Sequence, residues 1–397
     1  MADVIKRQRW GQVKRSIEIT GFLTFVLSSF ILILKFIKIP FLFIFVETFF
    51  ILIYIIIKCE ISRRVKIFIF NLAIIILLLG FAEAFFSYDY FIFIRKPLCV
   101  TYSGTETVED ELRGYAGSAN AKVRSKEVIN GKVIYDIIYS RNKYGLRVTP
   151  HDIQPAHLNP DFKNVIFFGC SFTYGDGVND NENLPFMFED RSQGKYEAYN
   201  FGFHGYGPQQ MLRILESGMV DKIVSNKQPF IAVYGAMVDH VSRCAFKYPA
   251  SSWYKGPAYK LDRSGNIVLW DAKKQYCLGK RLLLKSYLFN RIYYRVRNND
   301  IELFLKVISK SKKIFESKYH GQFYVLYWDA KNNIDRMVLE KLKKEDVNIF
   351  LTSQILGITD IREFYEKYAI IGDGHPNNLA YERIAEYLLK NINSKIQ

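Results

Sequence analysis

Three apolar stretches follow one another at the start of this chain, and they limit what it can fold into more than anything after them. They run from Ile19 to Leu34, from Phe41 to Ile57, and from Ile67 through Phe86. A helix rises about 1.5 Å per residue, so about 20 residues cross the hydrocarbon of a bilayer. The first two uncharged runs are slightly short. Lys35, Lys38 and Lys58 stand at their ends, however, and long cationic side chains reach back to the interface. Pro40 separates the first run from the second, and the segment CEISRRVK separates the second from the third. Three such runs in succession rarely occur inside one small soluble domain. The expectation is a membrane anchor over residues 1–88, with transmembrane helices at about 19–38, 41–58 and 66–87.

Charge gives the anchor an orientation. Lys6, Arg7, Arg9, Lys14 and Arg15 precede the first run, and Lys58, Arg63, Arg64 and Lys66 lie between the second and third. By the positive-inside rule both clusters belong in the cytoplasm. Three crossings then place everything after about Tyr88 outside it, in a multi-pass protein of the cytoplasmic (inner) membrane with a cytoplasmic N-terminus. The first run lacks a small-residue cleavage site and leads at once into another span, so no cleavable signal peptide is expected. Glu47 falls in mid-span, where a charge is costly. Pairing with a neighbouring helix and contact with a membrane partner are both open for it. Glu83 lies near the outer end of the third run and is expected to be solvated.

The net charge is +16, of which +7 lies in residues 1–66, with eleven Lys and Arg against four Asp and Glu. The rest is densest from Lys280 to Lys318. A nucleic-acid partner does not fit a domain that faces away from the cytoplasm. Attraction to anionic head groups or an acidic glycan, and a plain solvated helix face, remain open. Of five cysteines, Cys59 is cytoplasmic, whereas Cys99, Cys170, Cys244 and Cys277 fall outside, where disulfides persist. Four cysteines permit three pairings, among them Cys244–Cys277 within one inserted region. No Cys/His spacing reads as a metal site, and no cofactor is called for.

After the anchor comes a polar lead-in over 89–160 with one strand-like segment, KVIYDIIYS. From 161 to 397 short apolar runs alternate with helical patterns. Strands are expected at Val165–Gly169, Tyr196–Gly202, Pro229–Ala236, Gln322–Trp328 and Val347–Thr352. Helices are expected at Leu184–Arg191, Pro208–Val224, Leu282–Ser317 (as two), Asn332–Lys344 and Asn378–Ile392. This alternation predicts an α/β domain with a doubly wound sheet covered by helices on both faces. An insertion at about 240–320 carries a hairpin signal, YKLDRSGNIVLW, with its turn at Asp262–Asn266.

Two segments carry chemistry. VIFFGCSFTYGDG (165–177) ends a strand at Gly169 and presents Ser171 in a glycine-bounded turn, at the strand end where open α/β sheets bind ligands. IIGDGHPNNLAYERIAEYLL sets Asp373 and His375 in one loop before a helix. A nucleophilic serine needs a base, and the base needs a carboxylate to hold its tautomer. Together the two segments resemble the SGNH/GDSL hydrolases. Gly169-Cys170-Ser171 stands for the Gly-Asp-Ser signature, Gly205 in NFGFHGYG for the oxyanion glycine, and Asp373-Gly374-His375-Pro376 for the last block.

The resemblance spans about Asn164 to Lys390. It implies a flavodoxin-like α/β/α fold, Ser171, Asp373 and His375 as catalytic residues, and the N–H groups of Ser171 and Gly205 as the oxyanion hole. Three departures are visible. Cys170 replaces the aspartate beside the serine, and one residue rather than two separates Asp373 from His375. Val238, in VYGAMVDHVSRC, occupies the place of the asparagine that donates to the oxyanion. His240 is a candidate donor or a structural histidine. Asp239 either lines the site or pairs with Arg243, and His204 either lines the pocket or lies on the surface.

The function implied is a membrane-anchored serine esterase or O-acyltransferase acting on an acylated envelope glycan or lipid, with a membrane acyl-transfer partner also open. The alternative is a non-catalytic SGNH-like component that binds a glycan or a partner.

Overall fold

The computed structural model describes residues 40–89, 98–103, 107–153, 161–224, 230–246, 256–270, 286–293, 296–330 and 332–392. These residues form two compact units.

The first unit holds α1 (Pro40–Lys58), α2 (Arg63–Asp89) and a short helix, Tyr287–Tyr293. Proline opens α1, where its missing N–H costs no hydrogen bond. Gly80 lets α2 approach α1 closely, since a Cβ there would come within 3.2 Å of Phe45 Cβ. Both helices are long and apolar enough to cross a membrane. They contain the spans expected at 41–58 and 66–87, whereas the span expected at 19–38 lies outside the described residues.

Glu83 is not solvated as expected. It has no exposed surface and accepts hydrogen bonds from Ser286 Oγ (2.8 Å) and from the N–H groups of Tyr287 (2.8 Å) and Leu288 (2.9 Å). The free N–H groups at the start of the short helix attract a carboxylate from another part of the chain.

The second unit begins with β1 (Leu98–Ser103), β2 (Thr107–Asp110), β3 (Gly114–Gly117), β4 (Lys122–Ile129) and β5 (Lys132–Ser140). β4 pairs with both β1 and β5 in an antiparallel sheet, and β2 pairs with β3. The described part of the polar lead-in is therefore largely strand. Its alternation is hard to read because the buried face of β4 carries Ser125 and Glu127 beside Val123.

Five parallel strands follow: β6 (Lys163–Phe168), β7 (Tyr196–Asn200), β8 (Phe230–Met237), β11 (Gln322–Trp328) and β12 (Asn348–Leu351). Their spatial order is β12-β11-β8-β6-β7, which in order of appearance is the doubly wound 2-1-3-4-5 arrangement. Successive strand side chains point to opposite faces, so each strand feeds two cores. Ile166, Phe168, Ala232, Tyr234, Val325 and Tyr327 pack against α4 (Pro208–Glu216), α5 (Asn298–Tyr319) and α6 (Asn333–Leu342). Val165, Phe167, Ile231, Val233, Tyr324 and Leu326 pack against α3 (Leu184–Arg191) and α7 (Asn378–Asn391). A hairpin of β9 (Ala258–Leu261) and β10 (Ile267–Trp270) closes through Asp262–Asn266 as the sequence predicts.

Cys244 is a free, buried thiol, and the pairing considered with Cys277 involves a residue that lies outside the described residues. Burial pushes the Cys244 thiol well above its ordinary value, as expected of an inert core cysteine.

Candidate active site

The turn after β6 places Ser171. Gly169 has φ 155°, and a Cβ on it would stand 2.1 Å from Thr173 Oγ1, so a side chain here would push the Ser171–Tyr174 helical turn off the strand end. Cys170 faces the core as a buried free thiol.

Side chains from both neighbours hold the turn. Asn200, at the end of β7, donates from Nδ2 to the carbonyls of Thr173 (3.2 Å) and Tyr174 (3.3 Å) and accepts from Gly202 N (3.1 Å). Arg147, fully buried, reaches from the lead-in. It donates to the carbonyls of Tyr174 (3.0 Å), Gly175 and Val178 (2.6 Å), and its Nε meets Asp180 Oδ1 at 3.1 Å. Nothing in RNKYGLRVTP marks this arginine as part of a site, because its partners are backbone carbonyls that sequence does not display.

Asp373 and His375 sit on a tight loop. Ile370 N donates to His375 O (2.7 Å), and the N–H groups of Asp373 and Gly374 turn back to Ile370 O. Gly372 (φ 93°) and Gly374 (φ 94°) take the left-handed backbone that closes this loop and that most residues avoid. Asn377 then caps α7 by accepting from Ala380 N (3.1 Å). The loop brings His375 Nε2 to 2.9 Å from Ser171 Oγ and His375 Nδ1 to 2.6 Å from Asp373 Oδ2. With Nδ1–H donating to the carboxylate, Nε2 is free to accept the serine proton. The single-residue spacing therefore still makes the contact the resemblance implies.

Burial opposes charging of His375. The hydrogen bond to Asp373 and the negative charges of Asp176 and Asp373 more than offset that, and its pKa lies above the ordinary histidine value. Near Asp373 and His375 lies Glu127 of β4, a carboxyl with no exposed surface. Burial, then the neighbouring Asp373 charge, pushes it up to about 7. A bulge between Glu127 and Val128 interrupts the β4–β5 ladder beside it, a device common next to active sites.

Asp176 and Glu127 both escape the sequence reading. Asp176 lies inside the serine motif, which is the one signal it offers. Its Oδ2 meets His204 Nδ1 at 2.7 Å and lies 3.8 Å from His375 Nε2. His204 is thus not a surface residue. It is buried among the rings of Tyr139, Tyr174 and Phe203. The next residue, Gly205, has φ 67°, and the turn is pinned by Tyr115, whose hydroxyl donates to His204 O (2.8 Å).

The remaining candidates come from the segment after β8. His240 has no exposed surface, and its Nδ1 bonds the Tyr234 hydroxyl of β8 at 2.7 Å. Burial holds it neutral, well below the ordinary histidine value, as expected of a structural core histidine. Asp239 is exposed at the start of the helix Asp239–Cys244, while Arg243 donates to Tyr206 O (3.0 Å). Val238, half-buried before that helix, brings no side-chain donor. Among the described residues, no group of three or more His, Cys, Asp or Glu is placed to hold a metal.

Comparison with solved structures finds similar chains. A member of the lipolytic protein G-D-S-L family from Veillonella parvula matches with a TM-score of 0.35 and 14% identity, covering 59% of this chain and all (100%) of that one. The chain is similar to G-D-S-L lipolytic proteins. A second protein assigned to that family, from Desulfitobacterium hafniense, gives a TM-score of 0.34 and 14% identity over 57% of this chain and 98% of its own. A protein from Lactobacillus plantarum gives 0.35 and 10% over 60% of this chain and 100% of its own. No family model and no curated protein matches the chain.

Proposed function

We propose that this chain is a membrane-anchored serine esterase or O-acyltransferase of the SGNH/GDSL type, acting on acyl esters of an envelope glycan or lipid outside the cytoplasm. The observation that carries the reading is the continuous path Ser171 Oγ–His375 Nε2 (2.9 Å) and His375 Nδ1–Asp373 Oδ2 (2.6 Å) at the carboxyl end of the first parallel strand. His375 takes the serine proton as Oγ attacks the ester carbonyl, and Asp373 stabilises the imidazolium that forms. The N–H groups of Ser171 and Gly205 receive the oxyanion. His375 returns its proton to the leaving alcohol, and the acyl group then passes from Ser171 to water or to a sugar hydroxyl. The envelope location rests on two helices that are long and apolar enough to cross a membrane and on the flanking Lys and Arg clusters.

One observation favours a second reading. Val238 supplies no side-chain donor where an asparagine would assist the oxyanion, and losing one such donor costs about 10²–10³ in rate. A non-catalytic domain that binds a glycan or partner would tolerate that loss.

The test is labelling of the full chain in detergent with a fluorophosphonate probe. Labelling that disappears in Ser171→Ala and in His375→Ala supports the acyl-transfer reading. A folded wild-type chain that does not label overturns it and favours the binding role.

A further inference from the structure

His375 is flanked by carboxylates on both ring nitrogens. Asp373 faces Nδ1 at 2.6 Å, and Asp176 Oδ2 lies 3.8 Å from Nε2, the nitrogen that receives the serine proton. The second carboxylate is held in place by a histidine of its own. His204 Nδ1 donates to the same Oδ2 at 2.7 Å, and the ring is fixed among Tyr139, Tyr174 and Phe203. Asp176 Oδ1 is buried and has no hydrogen-bond partner among the described residues. Leaving a carboxylate oxygen in that state is costly, and a protein core that needed only a bond to His204 could meet it with a neutral side chain.

We infer that Asp176, held by His204, is a positioning residue of the reaction, and that it stabilises the His375 imidazolium from the Nε2 side. The inference rests on the Ser171–His375–Asp373 reading above. In the resting site Nε2 accepts from Ser171, and Asp176 faces a neutral ring. When Ser171 attacks, its proton moves to Nε2 and a positive charge develops within 4 Å of a carboxylate already in place. An opposite charge at that range favours the charged ring by about 1–3 pKa units. The other titratable groups around His375 are Asp373 on its own loop, Glu127 on β4, and His204 after β7. Burial first, with the negative charge of Asp176 adding to it, raises the hydroxyl pKa of Tyr135, Tyr139 and Tyr381.

The experiment follows the rate of fluorophosphonate labelling against pH in the full chain in detergent, comparing wild type, Asp176→Asn and His204→Gln. In the free enzyme the acid limb of that profile reports the base. Asp176→Asn keeps the shape of the side chain and removes the charge, and the limb is expected to move down by about one pH unit or more. His204→Gln leaves the carboxylate in place but releases it, and a smaller shift in the same direction is expected. A purely structural role would slow labelling equally at every pH without moving the limb, and an unmoved limb in either folded variant overturns the inference. If Asp176→Asn fails to fold, the His204→Gln profile decides alone. A wild-type chain that never labels defeats the underlying triad instead, so the two failures are distinguishable.

Discussion

Nδ1 of His375 lies 2.6 Å from Oδ2 of Asp373, and only Gly374 stands between the two residues in the chain. Two neighbours so close in sequence reach each other because Gly372 and Gly374 both adopt positive φ and fold the loop back on Ile370. The carboxylate holds one tautomer of the ring, with the proton on Nδ1. Asp373→Asn offers either an amide N–H that donates to Nδ1 and so moves the ring proton to Nε2, or an amide oxygen that accepts from Nδ1–H without charge. Turnover of 4-nitrophenyl acetate by this variant is expected to fall by about 10⁴-fold, with little change in KM. A loss of less than tenfold would mean that Asp373 does not orient the base.

Glu127 makes stability depend on pH in an unusual direction. Its folded value of about 7 is above that of an unfolded glutamate, so the native state holds a proton that the unfolded chain has released. The contribution is fully present below the unfolded value of about 4.5 and is lost as pH rises through about 7. Thermal midpoints of wild type and Glu127→Gln, measured from pH 4 to 8, should diverge across that window, with the variant gaining relative to wild type as pH rises. A constant difference would show that this carboxyl titrates at an ordinary value.

Arg147 has no exposed surface and binds three carbonyls of the loop after Ser171, together with Asp180. Arg147→Met keeps much of the packing volume and strands those acceptors. Breaking a buried charged network from one side costs about 3–5 kcal/mol. Denaturant unfolding should register a loss of that order. A change under about 1 kcal/mol would mean that water replaces the guanidinium at no cost.

Glu83 accepts three hydrogen bonds from residues about 200 positions away in the chain, at the start of the helix Tyr287–Tyr293. Glu83→Ala removes every one of those acceptors. Amide hydrogen exchange at Tyr287 and Leu288 is expected to rise at least tenfold, read by mass spectrometry of the full chain in detergent. Unchanged protection would assign the order of this helix to its other contacts.

Much of this protein is written locally. The apolar runs that become α1 and α2 and the buried strands are legible because elements covered on all sides are written as contiguous apolar residues, and the helices between the strands because one-sided burial imposes a period of 3.6. Ser171, Asp373 and His375 stand out for a related reason, since a serine at a strand end and an Asp-Gly-His loop are short, contiguous patterns. The lead-in was less legible, because Ser125 and Glu127 on its buried face disguise a strand as a polar segment.

The surroundings of Ser171, Asp373 and His375 were decided by tertiary structure alone. Asp176 meets His204 across 28 residues, Arg147 meets Val178 across 31, and Glu83 meets Ser286 across 203. Each of these contacts is made by a polar side chain whose partner is distant in the chain or belongs to the backbone. No spacing or composition encodes such pairs. They exist only once packing has excluded water, and only then does an unmet carboxylate or carbonyl carry enough free energy to select its neighbour.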